Sequence, residues 1–353
     1  MEAKTVDPQS LSAITTARLG TKLLPSLGII LVTGGLFVFG WFAYLWLKPE
    51  PAPYRYQLVE EGEVGKFANL GLEAWPGLRI GKYEVRVESV DRPIAVVYRA
   101  STSKADSQPI MLSWESRVTE PIGSIGGNLS ELTTVATAIA QYVPKNAVVL
   151  AWWDISRQVR LLADRDTLFT SHHGQPVIAP SYWRGRVEAI ERYEREFWGA
   201  PAQAEESRQF QRFADALKSD ADEGVAMLRE LAGSRDAYVV VHVADLYKLG
   251  LMRPDRLDMA FKDFPLTGNV HGLVGQVKAW MKDNGYETYT LQGLSDKMVR
   301  AYFLQEGKNG KTLLAQMLPF MDRTPRELQA VQLVHNHGGY WVYKIPPMQP
   351  SGR

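Results

Sequence analysis

The sequence predicts an α/β protein: a single N-terminal transmembrane helix followed by a mixed α/β extramembrane domain with an N-terminal β-rich part. Three observations support this. One N-terminal stretch is uncharged and apolar, the next alternates polar and apolar residues as strands do, and the remainder alternates strand and helix patterns. We divide the chain into a cytoplasmic leader (1–22), a transmembrane helix (23–47), a Pro-rich stalk (48–56), a β-rich subdomain (57–120), an α/β domain (121–346) and a disordered tail (347–353).

The membrane span is LLPSLGIILVTGGLFVFGWFAYLWL, from Leu23 to Leu47. At about 1.5 Å per residue it gives roughly 37 Å of helix, which crosses a hydrocarbon core of about 30 Å with some tilt. Trp41, Tyr44 and Trp46 lie at its far end, as in an interfacial aromatic belt. A cleaved signal peptide has a shorter apolar core and a small-x-small cleavage site. An uncleaved bilayer anchor is therefore favoured.

The orientation follows from the unequal lengths on the two sides of the span. A short leader precedes it and a long domain follows it. Lys4, Arg18 and Lys22 precede the span, whereas Lys48 and Arg55 follow it, which is a thin bias toward a cytoplasmic N-terminus. We predict a single-pass protein of a bacterial inner membrane with its large domain in the periplasm.

Composition excludes several classes of function. A formal net charge of +1 gives no support for a nucleic-acid partner, which usually demands a basic surface, and we predict none. The chain has no cysteine, so a disulfide, a thiolate nucleophile, an iron–sulfur cluster and a c-type haem are all impossible. We therefore predict no cofactor of its own, and any haem used in electron transfer belongs to another chain.

Strand patterns fill the β-rich part. Tyr83–Val90 alternates polar and apolar residues, and Ile94–Ala100 and Ile110–Arg117 follow after turn and loop sequences. A glycine-rich loop then leads to Asn128, which together with Glu131 predicts a capping box at the start of a helix.

The α/β part begins with Ala147–Trp153, an apolar run of buried-strand length. A helix over Ile155–Asp164 succeeds it. Residues 180–233 predict mainly helix, Tyr238–Leu246 predicts a second buried strand, and His271–Gly285 predicts a helix that ends on its glycine.

Strand and hairpin patterns return at the C-terminus. Tyr286–Leu294 and Lys297–Glu306 alternate as strands do, and Leu313–Met321 predicts a helix. Two last strands are joined by Asn336–Gly339, a hairpin signal.

The Trp152-Trp153-Asp154 sequence lies where a buried strand meets a helix. Asp154 is predicted to be the helix N-cap, whose carboxylate accepts backbone N–H groups. Ligand crevices in α/β sheets also lie at the carboxyl ends of strands. Because neighbouring strand residues face opposite sides, we expect one tryptophan in the core and the other along a groove or interface.

Basic residues and histidines follow this edge. Arg157, Arg160 and Arg165 lie off the apolar stripe of the helix, which predicts a solvated face or, with an open helix N-terminus, a surface for an anion or acidic partner. His172 and His173 are candidates for ligand binding, a metal or proton transfer, although adjacent histidines diverge on an extended chain.

Other histidines are weaker candidates. His335 and His337 are two apart and suit one metal ion better, but they border a Gly-Gly turn, so a polar hairpin tip is the simpler interpretation. His242 lies in an apolar strand and is predicted to be a hydrogen-bonded core histidine. The sequence has no Gly-rich phosphate loop, no Gly-x-Ser-x-Gly elbow and no His-Glu-x-x-His helix, so the case for an enzyme is weak.

Two segments, LGLEAWPG (Leu70–Gly77) and AWWDISRQVRLLADRDTLF (Ala151–Phe169), together with the single span and the long outer domain, resemble the HaoB family. These are membrane proteins associated with hydroxylamine oxidation in ammonia- and methane-oxidising bacteria. The resemblance covers nearly the whole chain. It implies a periplasmic accessory protein that works near a multihaem hydroxylamine-oxidising enzyme, and it brings no catalytic residues with it.

A second resemblance is local. Trp152-Trp153-Asp154 is similar to the motif with which the catalytic subunit of oligosaccharyltransferase reads the hydroxyl residue of its acceptor peptide, and Glu327–Ile345 resembles the closing strands of that enzyme. Ile155 and Ser156 replace the usual Tyr-Gly, and the many-spanning part with metal-binding carboxylates is missing. The resemblance therefore implies peptide recognition without that chemistry.

These observations predict a membrane-anchored periplasmic accessory or recognition protein of hydroxylamine oxidation that assists or tethers a multihaem partner. Two alternatives stay open at this point. One is a metal- or anion-dependent periplasmic enzyme that uses His172, His173 and nearby acids such as Asp154 and Asp164. The other is a peptide-binding domain of the oligosaccharyltransferase type without a catalytic part.

Overall fold

The computed structural model divides the chain into two units, Met1–Glu50 and Pro51–Arg353. The predicted leader up to residue 19 and the predicted tail from residue 348 lie outside the described residues. The structure describes residues 20–102, 108–125, 127–199, 202–254, 257–266, 270–321, 328 and 330–347.

The first unit contains one long helix, α1 (Gly20–Leu47). Its segment Pro25–Leu47 is long and apolar enough to cross a membrane, and none of that segment is buried within the protein. Trp41 and Tyr44 contact each other near its end, with tilted rings whose centroids are 6.0 Å apart. The predicted apolar span is therefore a continuous helix, which is compatible with single-pass anchoring.

The second unit opens with a four-stranded antiparallel sheet. The strands follow one another in chain order, and a 3₁₀ helix (Val64–Leu70) separates the first two. Strand β1 begins inside the predicted stalk. The prediction of a β-rich part is confirmed. The strands are β1 (Arg55–Glu63), β2 (Leu78–Arg86), β3 (Ala95–Thr102) and β4 (Ile110–Ser116).

A five-stranded mixed sheet forms the centre of the α/β part, in the order β11-β12-β7-β5-β6. Strand β5 runs parallel to β6 and β7, whereas β12 runs antiparallel to β7 and β11. Every residue of β5 and β7 is buried, as expected for parallel strands covered on both faces. The strands are β5 (Val148–Ala151), β6 (Asp166–Thr167), β7 (Ala237–His242), β11 (Gln332–His337) and β12 (Tyr340–Ile345).

A third, antiparallel sheet has the order β8-β10-β9. Strands β9 (Thr288–Ser295) and β10 (Met298–Leu304) fall within the two segments that the sequence predicts as strands, and they pair with each other antiparallel. Strand β8 (Met259–Pro265) has no counterpart among the predicted strands. It pairs with β10 along its whole length.

Helices connect and cover these sheets. Helices α2 and α3 pack on each other, α3 also contacts β4 and β5, and α6 contacts β5 and β12. The helices of the second unit are α2 (Leu129–Tyr142), α3 (Trp153–Ala163), α4 (Val187–Trp198), α5 (Ala204–Lys218), α6 (Ala221–Ala232), α7 (Asp245–Met252), α8 (Val270–Asp283), α9 (Glu306–Asn309) and α10 (Leu313–Met317), with a 3₁₀ helix at Ser181–Arg186.

The N-terminus of α2 differs in part from its prediction. Asn128 caps the helix, since its Oδ1 accepts the Ser130 N–H at 2.9 Å. Glu131 does not close a capping box: its carboxylate accepts the Gly339 N–H at 3.1 Å in the β11–β12 hairpin. A Cβ on Gly339 would lie 2.3 Å from His242 Nε2. The Gly-Gly turn therefore docks against both α2 and β7.

One hydrophobic core contains residues of both the first sheet and the mixed sheet. Ile80 and Leu112 of the first sheet belong to the same buried cluster as Val149 and Val239 of the mixed sheet. Burying such a side chain stabilises a protein by about 1.5–3 kcal/mol. The shared core holds the first sheet against the α/β part.

Candidate functional site

The candidate site lies at the carboxyl ends of the parallel neighbours β5 and β7. Strand β5 ends at Ala151 and leads through Trp152 into α3, while β7 ends at His242 and leads into α7. Both strands end at the same edge of the sheet because they are parallel. This is the edge at which α/β sheets form crevices.

The two tryptophans separate as expected. Trp152 is 1% exposed and packs edge-on against Phe210, with ring centroids 5.2 Å apart. Trp153 is half-buried, and its indole N–H donates to Gln175 O at 2.6 Å. Trp153 lines a narrow cleft with a volume of about 50 Å³, which we call the Trp153 cleft. That Trp153 binds a ligand or a partner stays a prediction.

Asp154 is not the N-cap of α3, and that prediction is wrong. Trp152 takes the cap position with extended backbone angles, and Asp154 is the second residue of the helix. Asp154 Oδ1 accepts the Ile155 N–H at 2.8 Å, and Oδ2 accepts from Lys248 Nζ at 2.8 Å. The strand passes into the helix two residues earlier than expected, so the carboxylate lies in the first turn, where the helix dipole stabilises it.

Lys248 joins two acids in a buried ion cluster. Its Nζ lies 2.8 Å from Asp154 Oδ2 and 3.3 Å from Asp245 Oδ1, and its side chain is 4% exposed. Burial raises the pKa of Asp245 to about 6, against the lowering effects of Lys248 and the His242 N–H. Burial alone would lower the pKa of Lys248, but the two carboxylates raise it. Lys248 is therefore held as a protonated, paired ammonium group.

His242 is a buried, hydrogen-bonded histidine, as predicted. Its Nδ1 accepts the Ala244 N–H at 3.1 Å, and Gln292 Nε2 lies 3.5 Å from its Nε2. Gln292 Oε1 in turn accepts from Tyr302 at 2.8 Å. Burial, with the charge of Lys248, lowers the pKa of His242 to about 3. The imidazole is therefore neutral at physiological pH.

Arg157 does not lie on a solvated face, so this expectation is wrong. The residue is 3% exposed, and its guanidinium donates to Pro109 O at 2.8 Å and to Trp198 O at 3.3 Å. Burial lowers its pKa to about 10. The next residue, Gln158, donates to Met111 O at 2.9 Å. Strand β4 and the residue before it thus cover this side of α3, and polar side chains of α3 donate to their backbone carbonyl oxygens.

Arg165 and Arg160 differ from each other. Arg165 is buried and donates to Val143 O at 2.8 Å and to Ala140 O, so it satisfies carbonyl groups at the end of α2. Arg160 is exposed and lies 3.7 Å from Asp166. Only Arg160 of the three arginines has the solvated position that the sequence predicts.

The adjacent histidines diverge, as expected. His172 lines the Trp153 cleft, and the centroid of its ring lies 4.3 Å from that of Trp153. The ring centroid of His173 lies 4.7 Å from that of Phe210, and its Nε2 lies 3.7 Å from Glu206 Oε1. Both are buried. Burial lowers the pKa of His172 well below its ordinary value, and the nearby Arg157 charge lowers it further. His172 is therefore a neutral ring.

The hairpin histidines occupy β11. His335 pairs with Val342 and His337 with Tyr340, so the two share one face of the strand. Burial lowers the pKa of His335. Within the described ranges, no group of three or more histidine, cysteine or acidic side chains could hold a metal ion. Metal binding at this pair stays a prediction.

Several residues of the site were not predicted from the sequence. Tyr54, Trp114 and Glu194 line the Trp153 cleft from other elements, and Lys248 also lines it. One signal for Lys248 exists in the sequence: Asp245 and Lys248 are three residues apart directly after a buried strand, a spacing that allows an ion pair on one helix face. The arrangement combines a narrow cleft, aromatic side chains and a buried ion cluster.

We predict that Asp154→Ala lowers the free energy of unfolding by about 3 kcal/mol, because it leaves a buried ammonium group with one weak partner. Urea unfolding of the full-length protein in detergent measures this. Asp166→Ala is the control: its side chain is 61% exposed and ion-paired, so the loss should stay below about 1 kcal/mol. Adding Lys248→Met to Asp154→Ala should recover part of the loss. Equal, small losses in both aspartate variants would contradict the buried cluster.

We predict a pH dependence from His242. Its folded pKa of about 3 lies below the ordinary 6.5, so its contribution to stability is fully present above pH 6.5 and is lost as pH falls toward 3. The slope is about 1.4 kcal/mol per pH unit. His242→Asn keeps an acceptor for the Ala244 N–H and removes this slope from urea unfolding between pH 4 and 6.5. Asp245 contributes the opposite slope in both proteins, so identical profiles would contradict a neutral His242.

No curated protein matches the chain. Among solved structures, the chain is similar to the C-terminal domain of PglB from C. jejuni, with a TM-score of 0.36 and 12% identity over 61% of this chain and 99% of that chain. A family model described as "HaoA-associated protein HaoB" matches residues 20–345, which include α1 and nearly all of the second unit. The match confirms the first resemblance: the chain belongs to the family of the HaoA-associated protein HaoB.

Proposed function

We propose that the protein is a membrane-anchored periplasmic accessory protein that recognises and tethers a HaoA-type multihaem enzyme of hydroxylamine oxidation. The family description, which names an association with HaoA, supports a protein partner. The apolar helix α1 supports a bilayer anchor. The short leader before α1 and the long second unit after it support a periplasmic position for the second unit.

The observation that carries this proposal is the rigid presentation of Trp153 beside Asp154. The Asp154 carboxylate accepts from the Ile155 N–H and from Lys248, and the Trp153 indole N–H donates to Gln175 O. Half-buried tryptophans are frequent anchors of protein interfaces. Because the surrounding bonds fix both side chains before a partner arrives, little conformational entropy is lost on binding.

Recognition also fits the chemistry of the groups at this edge better than catalysis does. Lys248 is a paired ammonium group and His172 a neutral buried ring. An enzyme of the metal- or anion-dependent type would need a base within reach of a nucleophile, or an open positive group. Arg157, the best candidate for the positive group, is committed to the Pro109 and Trp198 carbonyl oxygens.

Electron transfer would belong to the partner. The chain has no cysteine and cannot attach a c-type haem. A tethering protein needs no redox centre, since it acts by raising the concentration of its partner at the membrane. Electron transfer by the partner and tethering by this chain agree with a chain that consists of an anchor and a recognition domain.

We predict that the tagged full-length protein, extracted gently from its native membranes, captures a multihaem protein that is visible by haem absorption. Trp153→Ala should weaken capture about 30-fold, as expected for the loss of an interface hot spot of about 2 kcal/mol. Tyr142→Ala is the control, since Tyr142 is 61% exposed at the end of α2 and lies outside the Trp153 cleft.

A colourless preparation of the wild-type protein would contradict the proposed function. Capture that is equally strong for wild type and Trp153→Ala would retain the tether but remove the Trp153 cleft from it.

A further inference from the structure

A second, larger groove follows strand β4. It has a volume of about 450 Å³, and Ser113, Trp114, Glu115 and Ser116 all line it. Neighbouring strand residues point to opposite faces of a sheet, so four consecutive residues share one groove only when it runs along the edge of their strand. Residues 292–294 of β9 line the same groove. We call it the β4–β9 groove.

Both walls are terminal strands of their sheets. Among the described strands, β4 ends the first sheet and β9 ends the third. A terminal strand directs a row of backbone N–H and C=O groups away from its sheet, and such a row is a template for another strand. A groove lined by two such templates is complementary to an extended polypeptide.

The hydrogen-bonding pattern shows which groups of β4 face the groove. The Arg117 N–H donates to Ile94 O at 2.8 Å, next to β3. Because backbone groups alternate in direction along an antiparallel strand, Ser116 and Trp114 direct theirs away from β3. The first half of β4 is already occupied on this side, since α3 side chains donate to Pro109 O and Met111 O. The segment of β4 that is left to pair along the groove is Trp114–Ser116.

Strand β9 presents its edge in the same way. The Met321 N–H donates to Tyr289 O at 2.7 Å, so the backbone of Tyr289 faces away from β10. Gly293 lies four residues further along β9 with no register shift in between, so its backbone groups also face away from β10. Nothing lies within 4 Å of the position that a Gly293 Cβ would take. The glycine therefore permits close approach of another backbone.

We propose that the β4–β9 groove binds an extended segment of the partner protein, which pairs with β4 at Trp114 and Ser116 as an added strand. This inference rests on the proposed function and specifies how the partner is held. An added strand occupies roughly 160 Å³ per residue, from a rise of about 3.3 Å, a strand spacing of about 4.8 Å and a sheet spacing of about 10 Å. The groove thus takes about three residues.

Charge at the groove specifies the segment further. Glu115 and Glu120 line it, while the Arg300 guanidinium is bound by both Asp263 oxygens at 2.6 and 2.8 Å. The charge of Arg300 is therefore matched, and the charge of Glu115 is matched by Arg117 at 3.4 Å. Glu120 accepts from the Tyr182 hydroxyl at 2.9 Å, and its negative charge disfavours acidic side chains. Trp114 lines both this groove and the Trp153 cleft, and its indole nitrogen is buried without a hydrogen-bond partner among the described residues. The bound segment has neutral or basic side chains and continues toward Trp153.

Ser116→Pro tests the backbone pairing. Proline removes the N–H that faces the groove, and an edge strand tolerates it because that N–H makes no bond to β3. Ser116→Ala is the matched control, since it removes the hydroxyl and keeps the N–H. With full-length protein in detergent and the captured multihaem protein, we expect about tenfold weaker capture for Ser116→Pro and unchanged capture for Ser116→Ala.

Hydrogen–deuterium exchange of the wild-type protein gives a second readout that needs no variant. The amides of Trp114 and Ser116 should exchange at least about tenfold more slowly when the partner is bound, because they enter hydrogen bonds. This readout decides the case if Ser116→Pro does not fold. No capture by the wild type overturns the proposed function and this inference together. This inference alone is overturned if Ser116→Pro leaves capture unchanged and the exchange of the Trp114 and Ser116 amides also stays unchanged.

Discussion

The buried ion cluster of Asp154, Lys248 and Asp245 is the constraint on which the site depends. It closes the edge where β5 and β7 end, and it joins the first turn of α3 to α7. A buried ammonium group without partners is strongly unfavourable, so the two helices must approach in one arrangement. Replacing such a cluster by apolar side chains often preserves stability. What the cluster supplies here is a fixed geometry at the rim of the Trp153 cleft.

Helix α3 transmits this geometry to the first sheet. Its apolar side, with Ile155 and Val159, is buried in the main core. Its polar side donates from Arg157 and Gln158 to carbonyl oxygens of Pro109 and Met111. These bonds position the first half of β4 and leave its second half facing the β4–β9 groove. The groove and the Trp153 cleft are thus both positioned by one helix.

Local sequence signals predicted much of the fold, because they depend on neighbouring residues. The apolar span, the buried strands β5 and β7 and the Gly-Gly hairpin all follow from periodicity or turn chemistry. The contacts of Asp154 and Arg157 did not follow from such local signals. The partner of Asp154 is Lys248, 94 residues away, and Arg157 donates to Pro109, 48 residues earlier and directly before β4. A helical pattern marks a residue as off the apolar stripe, but it does not show that a second element covers it.

The two features that we propose for recognition differ in what they would contribute. Pairing along a strand edge uses backbone groups that every polypeptide carries, so it supplies affinity with little dependence on sequence. The Trp153 cleft is narrow, about 50 Å³, and is walled by aromatic side chains, so it admits only a small group in a defined position. Because Trp114 lines both features, one extended segment would meet them in succession. The β4 edge would then hold the segment, and the Trp153 cleft would select which segment fits.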